Sequence, residues 1–236
     1  KVENINFFDS KIRNAGRRIP IYLLLDTSEE MCGPAIVSMQ DGMKFVGQEL
    51  RSIPETVELA HLSVITFSDQ PRIVSPLVPL TDFQAPLLSC GGHCDMASAF
   101  KLLNNRIEEE FRPTIKGEKR GDYKPIIFLF SSGKPKDLED AVIASNLIKN
   151  RSSGTSIGTF LAMGCGPKAE MANLQLIATN AISLANLDKD TLKPFFQWVS
   201  ASVRAASKRA SLGREEIDKP RIPEDDDGEP VFKFEF

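Results

Sequence analysis

The chain has 236 residues, 42% of them hydrophobic, enough for one large domain or two small ones with a real core. Its 32 acids against 29 bases argue against nucleic acid as a partner. No apolar run approaches the roughly eighteen residues of a membrane span, and the opening KVENINFFDSKIRNAGRR carries no apolar signal core, so neither a membrane nor a secretory role is expected.

IPIYLLL (19–25) is a continuous apolar run, the pattern of a central parallel strand covered on both faces. It stops at Asp26, and Thr27, Ser28, Glu29 and Glu30 follow. A helix is predicted next: Pro34 suits its first turn, and Ile36, Met39, Met43, Val46 and Leu50 recur at three- and four-residue steps. HLSVITFS (61–68) and PRIVSPLV (71–78) read as an antiparallel pair joined at Asp69-Gln70. A second helix spans 96–111, with Phe100, Leu103, Ile107 and Phe111 on one face. KGEKRGDY (116–123) reads as a solvated loop, PIIFLFSS (125–132) as a buried strand, and 136–150 as a helix. A strand at 156–163, a short helix at 168–178, an edge strand at 181–186 and a last helix at 189–208 complete the pattern.

Six strands and five helices in alternation after one hairpin predict an α/β fold. Its form is a three-layer, Rossmann-like sandwich around a six-stranded, mostly parallel sheet with one antiparallel strand. The expected organisation is an N-terminal extension (1–16), the domain (17–208) and an acidic, Pro-rich tail (209–236). The tail ends in PVFKFEF, where Phe232, Phe234 and Phe236 alternate with polar residues at the period of a strand. It is expected to add to a sheet edge, with the edge near 71–78 as the candidate in this chain, or to reach a second copy and make a homodimer.

Open parallel sheets bind ligands beyond the carboxyl ends of their strands, where strand order reverses. Asp26 stands at such an end, Ser132 ends the strand placed beside it, and Gly91-Gly92 precedes the second helix. Three segments therefore converge there. Acids after a strand commonly mean only a solvated loop; convergence favours a site.

On RRIPIYLLLDTS (17–28), LSVITFSDQPRIVSPLVPL (62–80), GDYKPIIFLF (121–130) and FFQWVSASV (195–203), in this order, the chain resembles von Willebrand factor A (VWA) domains, specifically the TerY-like branch associated with tellurium resistance. The resemblance implies a metal-ion-dependent adhesion site: Asp-x-Ser-x-Ser at the first strand's tip, a Thr before the second helix, and Thr-Asp-Gly at the fourth strand's tip. Asp26 and Ser28 match. Glu30 replaces the second Ser, Cys94 falls at the Thr position with His93 inserted before it, and Ser131-Ser132-Gly133 replaces Thr-Asp-Gly. The expected site is thus degenerate, with Asp26, Ser28 and Glu30 as the candidate ligands. No cofactor is required, and Mg²⁺ or another divalent cation should bind weakly or not at all. The resemblance further implies a non-enzymatic interaction module, cytoplasmic, in chemical-stress or tellurite-resistance signalling. Its partner, a kinase or phosphatase of the same system, would dock on Asp26, Ser28, Glu30, His93, Cys94 and Ser132.

Two alternatives stay open. Cys94, His93 and Glu30 could serve a Cys/His enzyme, although neighbouring residues 93 and 94 generally point apart. Cys32, His93, Cys94 and Cys165 could hold a soft metal such as Zn²⁺, although no CxxC or HxxxH spacing supports it. The four cysteines lack framework spacing and read as reduced thiols of a cytosolic protein. Gly154-Thr155-Ser156-Ile157-Gly158 fits G-x-S-x-G, but Ser156 opens a strand and both histidines precede it, so no nucleophile elbow forms. Lys208-Arg209 before Ser211 makes Ser211 a candidate phosphorylation site.

Overall fold

The computed structural model describes residues 16–52, 54–115, 121–152, 154–184 and 234–235. The apolar run becomes strand β1 (Ile19–Asp26), and all eight of its residues are buried. Helices α1 (Pro34–Arg51) and α2 (Pro54–Leu59) lead to the hairpin of β2 (Ala60–Phe67) and β3 (Pro71–Pro79). Then come α3 (Met96–Glu110), β4 (Ile126–Ser131), α4 (Leu138–Lys149), β5 (Thr159–Cys165), α5 (Met171–Ile177), β6 (Asn180–Leu184) and the short β7 (Phe234–Glu235).

The sheet order is β3-β2-β1-β4-β5-β6-β7. Strands β2, β1, β4, β5 and β6 run parallel, and β3 pairs antiparallel with β2. Strands β1 to β6 therefore form the predicted mixed arrangement of six, and β7 adds a seventh beside β6. The chain builds outward from β1 to β3, then returns to lay β4 on the other side of β1. This reversal leaves a gap above the tips of β1 and β4.

Alternation along β1 divides the core. Ile19, Ile21, Leu23 and Leu25 pack with Met39 and Met43 of α1 on one face. Tyr22 and Leu24 face Phe100, Leu103 and Ile107 of α3 and Ile148 of α4 on the other. Phe100 and Phe160 meet edge to face at 5.7 Å between centroids, worth about 0.5–1.5 kcal/mol beyond area burial.

Some boundaries differ from expectation. Helix α4 starts at Leu138, not 136, because the Asp137 carboxylate accepts from Asp140 N–H at 3.0 Å and caps it. Strand β5 starts at Thr159, not 156, because Gly158 N–H donates to Pro125 O at 2.8 Å as a loop contact. Ser156 consequently precedes the strand instead of opening it. Helix α2 was not anticipated; six residues are too few to show a period.

The tail does add a strand, but to the other edge. Phe234 pairs with Ile182 and Glu235 with Ala181, antiparallel, on β6 of the same chain. The edge near 71–78 is a poor acceptor of a strand: Pro71, Pro76 and Pro79 remove three N–H groups from β3. The predicted helix at 189–208, Ser211, the rest of the tail and residues 1–15 lie outside the described residues.

Candidate binding crevice

Asp26 ends β1 wholly buried. Its Oδ1 accepts Ser28 N–H at 2.9 Å, an Asx turn that directs the chain out of the sheet. Its Oδ2 accepts the Ser131 hydroxyl at 2.6 Å and the Cys94 thiol at 3.4 Å. A carboxylate away from water requires such partners. Here they come from the ends of β1 and β4 and from the turn before α3, so Asp26 ties the three segments together.

A second set of contacts holds the loop before α3 against β1. Gly91 N–H donates to Thr27 O and Glu29 N–H to Gly92 O, each at 2.9 Å. His93 N–H donates to Asp69 Oδ1 at 2.8 Å. Gly92 has φ of 80°, and a Cβ there would lie 2.4 Å from Asp69 Oδ2, so only glycine fits. A disulfide joins Cys32 to Cys90, with Cα atoms 5.4 Å apart. This corrects the reading of four reduced thiols. The two cysteines are 58 positions apart, and only the fold brings them together.

The third wall is the turn after β4. Gly133 has φ of 74°, and a Cβ there would come 2.6 Å from Glu170 O. Its N–H donates to Ser131 Oγ at 3.0 Å. The turn carries Lys134 and Lys136 to the rim, and Lys136 N–H donates to Cys94 O at 2.8 Å. Lys134 Nζ meets Glu30 Oε2 at 2.8 Å. That hydrogen bond, with the ammonium charge behind it, lowers the Glu30 carboxyl below its ordinary range.

The three walls enclose a crevice of about 490 Å³. Of the predicted face, Ser28, Glu30, His93 and Cys94 line it. Asp26 lies behind Ser28 and Cys94, and Ser132 is buried at the tip of β4. Lys134, Lys136 and Asp69 were not singled out from sequence. Two lysines directly after a strand tip were the available signal for the first two; Asp69 looked like an ordinary turn residue. Ser28 and Ser132 keep hydroxyls that are buried and have no hydrogen-bond partner among the described residues.

The donor set does not suit a hard divalent cation, which takes an octahedron of carboxylate, hydroxyl and water oxygens. Oδ2 of Asp26 is already engaged by a hydroxyl and a thiol. The Glu30 carboxylate faces an ammonium instead of Asp26. Cys94 is a soft ligand, and two lysines border the space. Nor does a soft-metal set assemble: Cys32 is spent in the disulfide, and Cys165 lies two strands from β1. Among the described residues no group of three or more His, Cys, Asp and Glu is placed to hold an ion.

A thiol nucleophile is not favoured either. Burial pushes the Cys94 thiol up, and the Asp26 carboxylate beside it adds to the shift. Reactive cysteines require the opposite. Burial raises the Cys165 thiol as well. The native protein should therefore show no thiol to Ellman's reagent near neutral pH, two after denaturation, and four after denaturation with reduction. A fast-reacting native thiol at Cys94 would restore the enzyme alternative.

Comparison with known proteins bears on the fold. The profile of the von Willebrand factor type A domain matches residues 21–192. No curated protein is similar enough to count as a relative. The solved structure of a von Willebrand factor type A protein from Catenulispora acidiphila is similar over 80% of this chain and 43% of its own, with 15% identity and a TM-score of 0.61. The D319A mutant of the PilB minor pilin from Streptococcus sanguinis is similar over 84% of this chain and 64% of its own, with 10% identity and a TM-score of 0.63. The pilus adhesin SpaC from Lactobacillus rhamnosus GG, in its open conformation, is similar over 80% of this chain and 30% of its own, with 12% identity and a TM-score of 0.60. At these identities the structures speak for the fold alone. With most of its length matched by the family profile, the chain belongs to the von Willebrand factor type A domain family.

Proposed function

We propose that the crevice at the tips of β1 and β4 docks a protein partner, and that the chain is a TerY-like member of its family with a degenerate adhesion site. The observation that supports docking is the open crevice itself, which lies at the strand-order reversal and is lined by Ser28, Glu29, Glu30, His93, Lys134 and Lys136. The resemblance supports a setting in bacterial chemical-stress or tellurite-resistance signalling, with a kinase or phosphatase of the same system as partner. The reading is non-enzymatic and requires no cofactor; a divalent cation should bind weakly or not at all.

No helix among the described residues is long and apolar enough to cross a membrane. The expectation of a cytoplasmic setting rested on the resemblance and on four reduced thiols, and the thiol premise now holds for Cys94 and Cys165 only. In a reducing compartment the Cys32–Cys90 link would be opened. We read the tail as completing its own sheet, since β7 pairs with β6 of the same chain. A homodimer through the tail would require two copies to exchange that strand.

Photo-crosslinking in the native host tests the docking face. A photoreactive residue at Glu29, exposed at the crevice, should give a discrete adduct. One at Glu58, exposed in α2 at the opposite end of the sheet, should not. Equal labelling from both positions, or none from Glu29, would overturn the reading.

A further inference from the structure

We infer that the Cys32–Cys90 bond is a reversible thiol–disulfide exchange site, which an external dithiol opens by attack at Cys32, and that opening it frees the loop before α3 while the domain stays folded.

The bond is open to attack. Cys32 is exposed and Cys90 half-buried. Gly33 and Gly91, the residues after them, border open space: a Cβ at either would meet no atom within 4 Å. Exposed disulfides are the labile ones, whereas enclosed ones resist exchange. The other two sulfurs stand aside. Cys94 is 4% exposed, with its thiol on Asp26 Oδ2 at 3.4 Å, and Cys165 is 4% exposed. Only a thiolate exchanges, and burial keeps both protonated. The opened pair therefore closes again only on itself.

Opening is local. Leu88 N–H donates to Gln40 Oε1 at 2.7 Å and Gly91 N–H to Thr27 O at 2.9 Å. The disulfide fastens the stretch between them to the start of α1. Without it that stretch loosens, and both flanking bonds remain. Cys32 N–H also keeps its bond to Glu29 O, at 3.1 Å.

These same bonds select the reductant. They hold the two cysteines near their linked Cα separation of 5.4 Å, so a released Cys90 thiolate faces Cys32 at high effective concentration. It expels a monothiol from a mixed disulfide before a second molecule arrives. A dithiol carries its second thiol with it and outruns this return. One thiolate of the dithiol attacks Cys32 Sγ, the S–S bond breaks, and Cys90 leaves as a thiolate that takes a proton from water. The second thiolate attacks the dithiol's own sulfur in the mixed disulfide, and Cys32 leaves in the same way. The protein gains two electrons and two protons, and the dithiol becomes a disulfide.

The test treats the native full chain with dithiothreitol, blocks free thiols with iodoacetamide and maps the peptides. Cys32 and Cys90 should be alkylated, and Cys94 and Cys165 not. Glutathione at equal thiol concentration should open the bond about ten-fold less or weaker still, and its acid-quenched adduct should sit on Cys32. Oxidised glutathione, added after the dithiol is removed, should restore the 32–90 linked peptide alone. Amide exchange of the opened form should quicken around Gly91 and stay slow in β1 and β4. Opening only in denaturant, alkylation of Cys94 or Cys165 in step with the pair, or exchange that quickens throughout the sheet would overturn the inference. Equal opening by glutathione would overturn the choice of a dithiol, and an adduct on Cys90 the choice of Cys32.

Discussion

Asp122→Ala should lower the free energy of unfolding by about 3–5 kcal/mol. Asp122 lies in the connection from α3 to β4, at the end of the sheet opposite the crevice. It faces Arg18 at the start of β1, and both residues are buried. Arg18 Nε donates to Oδ1 at 3.0 Å and Nη2 to Oδ2 at 2.6 Å, a bidentate pair. Arg112 N–H also donates to Oδ2, at 3.0 Å. Removing the carboxylate strands a guanidinium away from water and leaves a backbone donor unpaired. Arg18 Nη2 keeps only its bond to Glu110 O, at 2.5 Å. Urea unfolding should show a lower midpoint with an unchanged slope. The double variant Arg18→Met, Asp122→Leu should recover most of the loss, because apolar replacement of a buried pair is often neutral. A single-variant loss below about 1 kcal/mol would mean that the pair behaves as a surface ion pair.

The second large effect is that of the disulfide. Linking Cys32 to Cys90 closes a loop across a separation of 58 residues. By chain entropy that constraint is worth about 4 kcal/mol. Cys32→Ser with Cys90→Ser, or reduction of the native protein, should lower the unfolding midpoint accordingly. The crevice should keep its shape under mild conditions. The loops retain the backbone bonds from Gly91 to Thr27 and from Glu29 to Gly92. Gln40 also grips the loop through Pro86 O and Leu88 N–H, each at 2.7 Å. Faster amide exchange should be confined to the residues around Gly91. A non-reducing digest that yields no linked peptide, or equal midpoints with and without reductant, would refute the assignment.

Much of the fold was legible in the sequence because its signals are local. The apolar runs at 19–25 and 125–132 announce strands buried on both faces, and both are central in the sheet. Helices α1 and α3 announce themselves by their three- and four-residue apolar steps. The acid after β1, the glycines before α3 and the small residues after β4 marked the strand tips, since an alternating pattern leaves few choices for which ends meet. The signal fails where neighbours are few or partners distant. Helix α2 is too short for a period.

By itself, the sequence determined the order of elements, the parallel sheet and Asp26 and Ser28 at a strand tip, because those follow from hydrophobic period and turn chemistry within a dozen residues. Only the tertiary structure decided what surrounds them. Glu30 meets Lys134 across 104 positions, Ser131 reaches Asp26 across 105, and Cys32 meets Cys90 across 58. Asp69 supports the loop of Gly92 and His93 from the end of β2. The tail's pairing with β6 depended on which sheet edge still offered a full ladder of N–H and C=O groups. Such contacts depend on side-chain reach and backbone geometry after the layers have packed, and no local pattern encodes them. The chemistry of the crevice, a lysine facing a carboxylate, therefore emerges only once β1 and β4 lie side by side.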